Sequence, residues 1–242
     1  LFGRGSGDNK SGVVVHYNVI KQLIDELPVN IKVFIEGEEE IGSPTMALFI
    51  EQNREALEAD VIIIADSGNV KIGVPTITTT LRGLVDGIIE VDQPMRPIHS
   101  GVGGGVVPDA FMVLSRIISS FHDDKGNLMI EGLTSTDMKV TELEESFLKK
   151  MLGSDDIALF DTESISKRLW LEPALDVLAI DAPPVKEAVN LVIPKARAKV
   201  SLRLPPTEDP DHAMKMLEEH IMKNIPWDCL LYTSDAADDV EC

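Results

Sequence analysis

The run at residues 61–65 reads Val-Ile-Ile-Ile-Ala and is apolar at every position. A strand with one wet face alternates apolar with polar residues. One that does not alternate has to be covered on both faces, as strands of parallel sheets are. Residues 31–36 (IKVFIE) are a second short β-branched run. Between the two, Ser43-Pro44 offers a cap and a first-turn proline for a helix carrying Met46, Leu48, Phe49, Ile50 and Leu57. Ahead of both, Val13, Tyr17, Ile20, Ile24 and Leu27 recur at helical spacing until Pro28 stops them. Residues 1–69 thus predict the order α-β-α-β, part of an open α/β layer.

The pattern changes after Asn69. Residues 70–92 hold three short Thr-, Ile- and Val-rich runs broken by glycines, which predict antiparallel strands. Residues 108–122 and 210–224 predict amphipathic helices, and residues 141–151 a helix that is acidic in its first turn. Residues 196–204 (ARAKVSLRL) alternate apolar with basic residues, as a half-exposed strand does. Helices over an antiparallel sheet make this half an α+β domain. The expected division is 1–79, 80–228 and a tail at 229–242. That tail (CLLYTSDAADDVEC) continues no amphipathic pattern and is expected to be non-native. The chain opens on Leu-Phe-Gly-Arg-Gly rather than Met, and is expected to be an internal fragment.

Charge narrows the function classes. Asp and Glu number 41 against 22 Lys and Arg, a net charge of −19. Such a chain repels phosphate backbones and anionic membrane surfaces, so neither nucleic acid nor membrane is an expected partner. No apolar run approaches the roughly 20 residues a membrane span needs. Cys229 and Cys242 are the only cysteines, too few for a disulfide framework or a thiolate zinc cage, so a reducing, cytoplasmic setting is expected. A metal here would have to use carboxylates and histidines.

Three acidic groups fall where open α/β sheets place ligands, beyond the carboxyl ends of their strands. Asp8 lies in the glycine-rich turn GRGSGD, Glu38, Glu39 and Glu40 follow the first predicted strand, and Asp66 ends the second. Clustered carboxylates repel, and a cation that neutralises them explains their company. Magnesium, calcium, manganese and zinc all accept oxygen donors. Taken singly, a triple-Glu run is a solvated turn and a strand-terminal Asp is a cap, so these loops alone name no reaction.

Four motifs in order carry a resemblance: GRGSGDNKSG, IEGEEEIGS, a run ending in Asp66, and IHSGVGGG. They are similar to those of the metal-dependent amidohydrolases and peptidases that include carnosinase, aminoacylase, succinyl-diaminopimelate desuccinylase and glutamate carboxypeptidase. Leu81–Gly83 (LRG), Lys125–Asn127 (KGN) and the Ile193–Pro206 stretch bring the chain nearest to the carnosinase-type dipeptidases. The resemblance implies an α/β catalytic domain followed by an α+β lid and dimerisation domain with an antiparallel sheet. It implies that Asp8 bridges two zinc ions, with Glu40 and Asp66 as further ligands and Glu39 as general base. It implies that His99 reaches the partner subunit's active site and steadies the oxyanion, and that Arg203 grips the substrate carboxylate. His16, His122, His212 and His220 fit no ligand position and are expected to serve in packing or at the surface.

These residue types suit amide hydrolysis. A metal-bound water has its pKa lowered to about 7, and paired metals can hold both the attacking water and the carbonyl oxygen. A carboxylate left unligated beside a ligating one can accept a proton and pass it to the leaving amine. The expectation is therefore a homodimeric, two-zinc metallodipeptidase, with manganese or cobalt as possible substitutes, acting on small peptides with a free carboxylate. A deacylase of N-acyl amino acids and a non-catalytic homologue kept for binding or dimerisation are the alternatives. Lacking the family's histidine ligands, the 242-residue chain alone is expected to be inactive.

Overall fold

The computed structural model describes residues 2–69, 73–229 and 231–235, the last in backbone only. The chain separates into two compact units, Leu1–Thr78 and Thr79–Cys242.

In the first unit, helix α1 (Lys10–Leu23) begins where the Asn9 side chain accepts the Gly12 amide at 2.9 Å, an N-cap that starts the helix ahead of the expected apolar stripe. The acidic turn Glu39–Ile41 and two short helices, α2 (Met46–Gln52) and α3 (Arg54–Leu57), follow. The two strands expected at 31–36 and 61–65 are not formed: the first unit has no β-strand among its described residues. Ile62, Ile63 and Ile64 are each more than three-quarters exposed. The apolar runs are present, but a strand is defined by its hydrogen-bonded partner, and neither run has one among the described residues. Phe34 still stacks on Phe49 with ring centroids 5.4 Å apart, so the first run packs on α2 through a side chain rather than a ladder.

The second unit is a helix-on-sheet layer. Strands β1 (Gly83–Asp92), β3 (Ala174–Asp181), β5 (Lys195–Leu204) and β6 (Leu231–Asp235) form one antiparallel sheet in the order β3-β5-β1-β6. A second, two-stranded sheet pairs β2 (Ile98–His99) with β4 (Leu191–Val192). Among the described residues, five α-helices complete the unit: α4 (Ser100–Gly103), α6 (Glu145–Leu152), α7 (Ile165–Trp170), and the pair that covers the main sheet, α5 (Ala110–Ser119) and α8 (Pro210–Lys223). Val113, Leu114 and Ile117 of α5 and Ala213, Leu217 and Ile221 of α8 are buried against Ile89, Val91, Val200 and Leu202. The sheet's period of 2 therefore meets the helices' 3.6-residue period in one continuous apolar layer.

Of the three strands expected in residues 70–92, only β1 forms. Val70, Lys71 and Ile72 lie outside the described residues, and residues 73–82 make no strand. Residues 141–144 are not helical either. Glu142 instead accepts the Ser164 hydroxyl at 2.5 Å and the Ser166 amide at 3.2 Å, which holds that stretch as a loop and lowers the Glu142 carboxyl below its ordinary range. Strand β3 and the short pair β2–β4 were not anticipated. Leu231–Asp235, set aside in sequence as part of a tail, pair with β1, while residues 236–242 lie outside the described residues.

Candidate active site

The first unit gathers its acidic loops through a few specific bonds. Asn9 caps α1 and also donates to the Ala65 carbonyl at 3.1 Å and to the Asp66 carboxylate at 2.6 Å, so the turn bearing Asp8 is tied to the segment ending in Asp66. Gly12 permits that approach, because a Cβ there would overlap the Ala65 carbonyl oxygen.

Of the three consecutive glutamates, Glu38 is used locally. Its carboxylate accepts the Thr45 amide at 3.2 Å and the Thr45 hydroxyl at 2.6 Å, which closes the loop onto the start of α2. Gly42, at φ +84°, ends the Glu39–Ile41 turn in the left-handed conformation that glycine adopts without strain. Glu39 and Glu40 are left outside that closure. The Glu39 carboxyl is raised above its ordinary range by Glu40 first, then by burial, then by the negative charges of Asp66, Asp8 and Glu36. Four acidic groups from three separate loops thus act on Glu39. One oxygen of Glu36, Oε1, is buried with no hydrogen-bond partner. Oxygen donors in this mix suit a hard divalent cation. Among the described residues, however, no three His, Cys, Asp or Glu side chains come close enough together to hold a metal ion.

In the second unit, His99 is fixed by its backbone. It pairs with Leu191 in the β2–β4 ladder, and the following amide, Ser100, donates to Asn190 at 2.9 Å. The His99 ring accepts the Gly101 amide on Nδ1 at 3.0 Å and so caps α4. The ring proton then sits on Nε2, and the exposed His99 presents an N–H donor. The glycine-rich stretch after it is a packing requirement. A Cβ on Gly103 would strike Ile98, and one on Gly104 the Ser100 carbonyl.

Arg203 lies exposed on β5, opposite Leu84 and Ala174. Of the other histidines, His16 is on α1, His212 and His220 are on α8, and His122 bridges to Leu128. An open groove of about 430 Å³ elsewhere on the second unit, walled by Asp161, Glu163, Lys167 and Arg168, contains none of the expected site residues. Sequence reasoning had not singled out Asn9 or Glu36. Both sit inside quoted motifs, and their acidic or amide character beside Asp8 and Glu38 was the signal available.

Residues 79–229 match the peptidase dimerisation domain of the M20 class. The chain is 36% identical to a cysteinylglycine-S-conjugate dipeptidase of Corynebacterium striatum over 93% of its own length and 51% of the relative's. It is 30% identical to the human beta-Ala-His dipeptidase, over 91% and 47%. Among solved structures, it superposes on an M20 family metallo-carboxypeptidase from Sulfolobus solfataricus with a TM-score of 0.75 at 30% identity, covering 96% of this chain and 55% of that one. Human carnosine dipeptidase 1 gives 0.75 at 27%, covering 98% and 54%. The chain spans about half the length of the curated relatives it matches. With the dimerisation-domain match running over well more than half of its residues, the chain belongs to the M20 peptidase family.

Proposed function

We propose that this chain is part of a metal-dependent dipeptidase, a cytoplasmic homodimer joined through its second unit. The observation that carries the reading is the bond from Asn9 to the Asp66 carboxylate at 2.6 Å, which ties the turn bearing Asp8 to Asp66 in a chain of the M20 peptidase family. The names of the relatives, a Cys-Gly metallodipeptidase of Schizosaccharomyces pombe and the beta-Ala-His dipeptidase among them, point the same way.

Asp8, Glu40 and Asp66 are the proposed ligands, with two zinc ions per subunit as the proposed complement; the described residues do not by themselves bring the three into a group that could hold an ion. Such an ion supplies Lewis acidity and a water of lowered pKa. The rest of the chemistry falls to the chain. Glu39 is left free to take a proton on its carboxylate and to return it to the amine that departs. The His99 Nε2–H is the proposed donor, in the partner subunit's active site, for the oxygen that gains charge as the carbonyl is attacked. Arg203 offers a forked guanidinium to the peptide's terminal carboxylate.

The test is a substrate panel on the full-length gene product, with and without a chelator. Hydrolysis of dipeptides that stops on chelation and returns with zinc is the expected result. Preference for N-acyl amino acids would replace the dipeptidase with a deacylase, and no turnover of either class would remove the enzymatic reading.

A further inference from the structure

Strand β5 carries four basic residues besides its apolar ones, and three of them have acidic partners. Lys195 meets Asp92 at 2.5 Å, Arg197 meets Asp181 at 2.9 Å, and Lys199 meets Asp86 at 3.3 Å. The fourth, Arg203, makes no ion pair or hydrogen bond among the described residues. In a chain with 41 acidic and 22 basic residues, acids are in excess, so an unpaired arginine calls for a reason.

The register shows what lies beside it. Arg203 is opposite Leu84 on β1 and Ala174 on β3, and the next rung on the same face carries Asp86, Ser201 and Asp176. Alternate rungs bury Leu202 and Leu204 in the core, so Arg203 belongs to the face away from the helices. Arg82 precedes β1 by one residue, two before Leu84, at the end of the sheet nearest Arg203. It is half-buried and also makes no ion pair or hydrogen bond among the described residues. Burial first, and then the charge of Arg203, make the Arg82 proton easier to lose, while Asp176 acts in the opposite sense. Two guanidiniums thus sit within electrostatic reach of each other, with one nearby aspartate against their two charges. Adjacent like charges on a sheet face are unfavourable. Ten N–H donors stand there without an acceptor among the described residues, and one of the two heads is partly desolvated. A planar anion with two oxygens would satisfy both heads through parallel, charge-assisted hydrogen bonds.

We propose that Arg82 and Arg203 together form a carboxylate receptor, which makes Arg82, in the LRG motif, a second substrate-binding arginine. On the dipeptidase reading, on which the identity of the ligand rests, the carboxylate is the free terminus of the peptide. Binding needs no turnover, so the receptor can be tested apart from the hydrolase.

The 242-residue chain, 15N-labelled at arginine, is titrated with glycylglycine and, at matched ionic strength, with its C-terminal amide. The arginine Nε–H resonances are assigned by the variants R82Q and R203Q. Arg82 and Arg203 are expected to shift together with the acid and not with the amide. R82Q is expected to weaken glycylglycine binding about tenfold or more, with R82K intermediate because it keeps the charge but loses the fork. Equal response to acid and amide, or a response of Arg203 alone, overturns the proposal. So does an R82Q chain with intact core resonances that binds as tightly as the unaltered one. If R82Q does not fold, the paired shifts in the unaltered chain decide. Failure of hydrolysis by the full-length protein with the paired shifts retained would remove the enzyme and leave the receptor.

Discussion

Asp109 ties the covering helix α5 to the stretch that carries the partner strand of His99, and its replacement by alanine should be felt in both. One carboxylate oxygen accepts the amides of Phe111 and Met112 at 3.0 and 3.2 Å and so caps α5. The other accepts the amide of Ile193 at 3.2 Å, immediately after β4, whose Leu191 pairs with His99. Losing an aspartate cap costs about 1 kcal/mol. Leaving the partly buried Ile193 amide without its acceptor costs about 1 kcal/mol more. Asp109→Ala should therefore destabilise the second unit by about 2 kcal/mol, or lower its Tm by roughly 4–8 °C for a unit of this size. Asp109→Asn keeps the capping oxygen but turns an amide donor toward Ile193, so it should lose about 1 kcal/mol. Urea denaturation followed by circular dichroism, run on all three chains, measures the differences. A change for Asp109→Ala within about 0.5 kcal/mol, the range of an ordinary surface substitution, would refute the double role.

Two further outcomes follow from the packing. His220 is pressed against Phe121, with ring centroids 5.6 Å apart, and its Nε2 lies 3.0 Å from the Ser120 hydroxyl and 3.1 Å from the Ser120 carbonyl; burial first, then Lys223, outweigh the favourable bond to Ser120 and the charge of Glu131 and lower its pKa below the usual value. The unfolded chain then takes up this proton more readily, so His220's contribution is fully present above the ordinary histidine value near 6.5 and is lost as pH falls through the folded one; a pH series of urea melts should show that slope, and His220→Gln should flatten it. Gly12→Ala should push α1 off Ala65 and loosen the Asn9–Asp66 bond, with a stability loss of about 1–3 kcal/mol and about 10–100-fold weaker metal binding by the full-length protein, read by competition with a chelator.

How much of this the sequence discloses depends on whether a feature is local. The alternation of residues 196–204 is a local record of one covered face, and β5 forms there with Ala196, Ala198, Val200, Leu202 and Leu204 buried. The apolar run 61–65 is just as plain in sequence, yet a strand is a relation between segments, and no partner is present among the described residues of its unit. Cap positions sit between the two cases. Asp109 and Asp209 begin α5 and α8 through their own side chains, whereas α6 starts four residues later than the acidic pattern suggests because Glu142 bonds forward to Ser164 and Ser166. For the candidate site, Asp8, Glu39, Glu40 and Asp66 stand out in sequence as acidic loops, while the bond by which Asn9 ties the Asp8 turn to Asp66 appears only in the structure. Arg82, one residue before β1, was not singled out, since only the antiparallel register brings the start of β1 to the end of β5 that carries Arg203. Glu38, indistinguishable in sequence from its two neighbours, turns out to serve Thr45.

The most direct test of the account is turnover set against zinc content in the Glu39→Ala form of the full-length protein. If Asp8, Glu40 and Asp66 hold the metal while Glu39 moves the proton, zinc stays at the unaltered stoichiometry and dipeptide hydrolysis falls by about 10²–10⁴-fold. Hydrolysis retained at the original rate, or zinc lost along with activity, would contradict that division of labour.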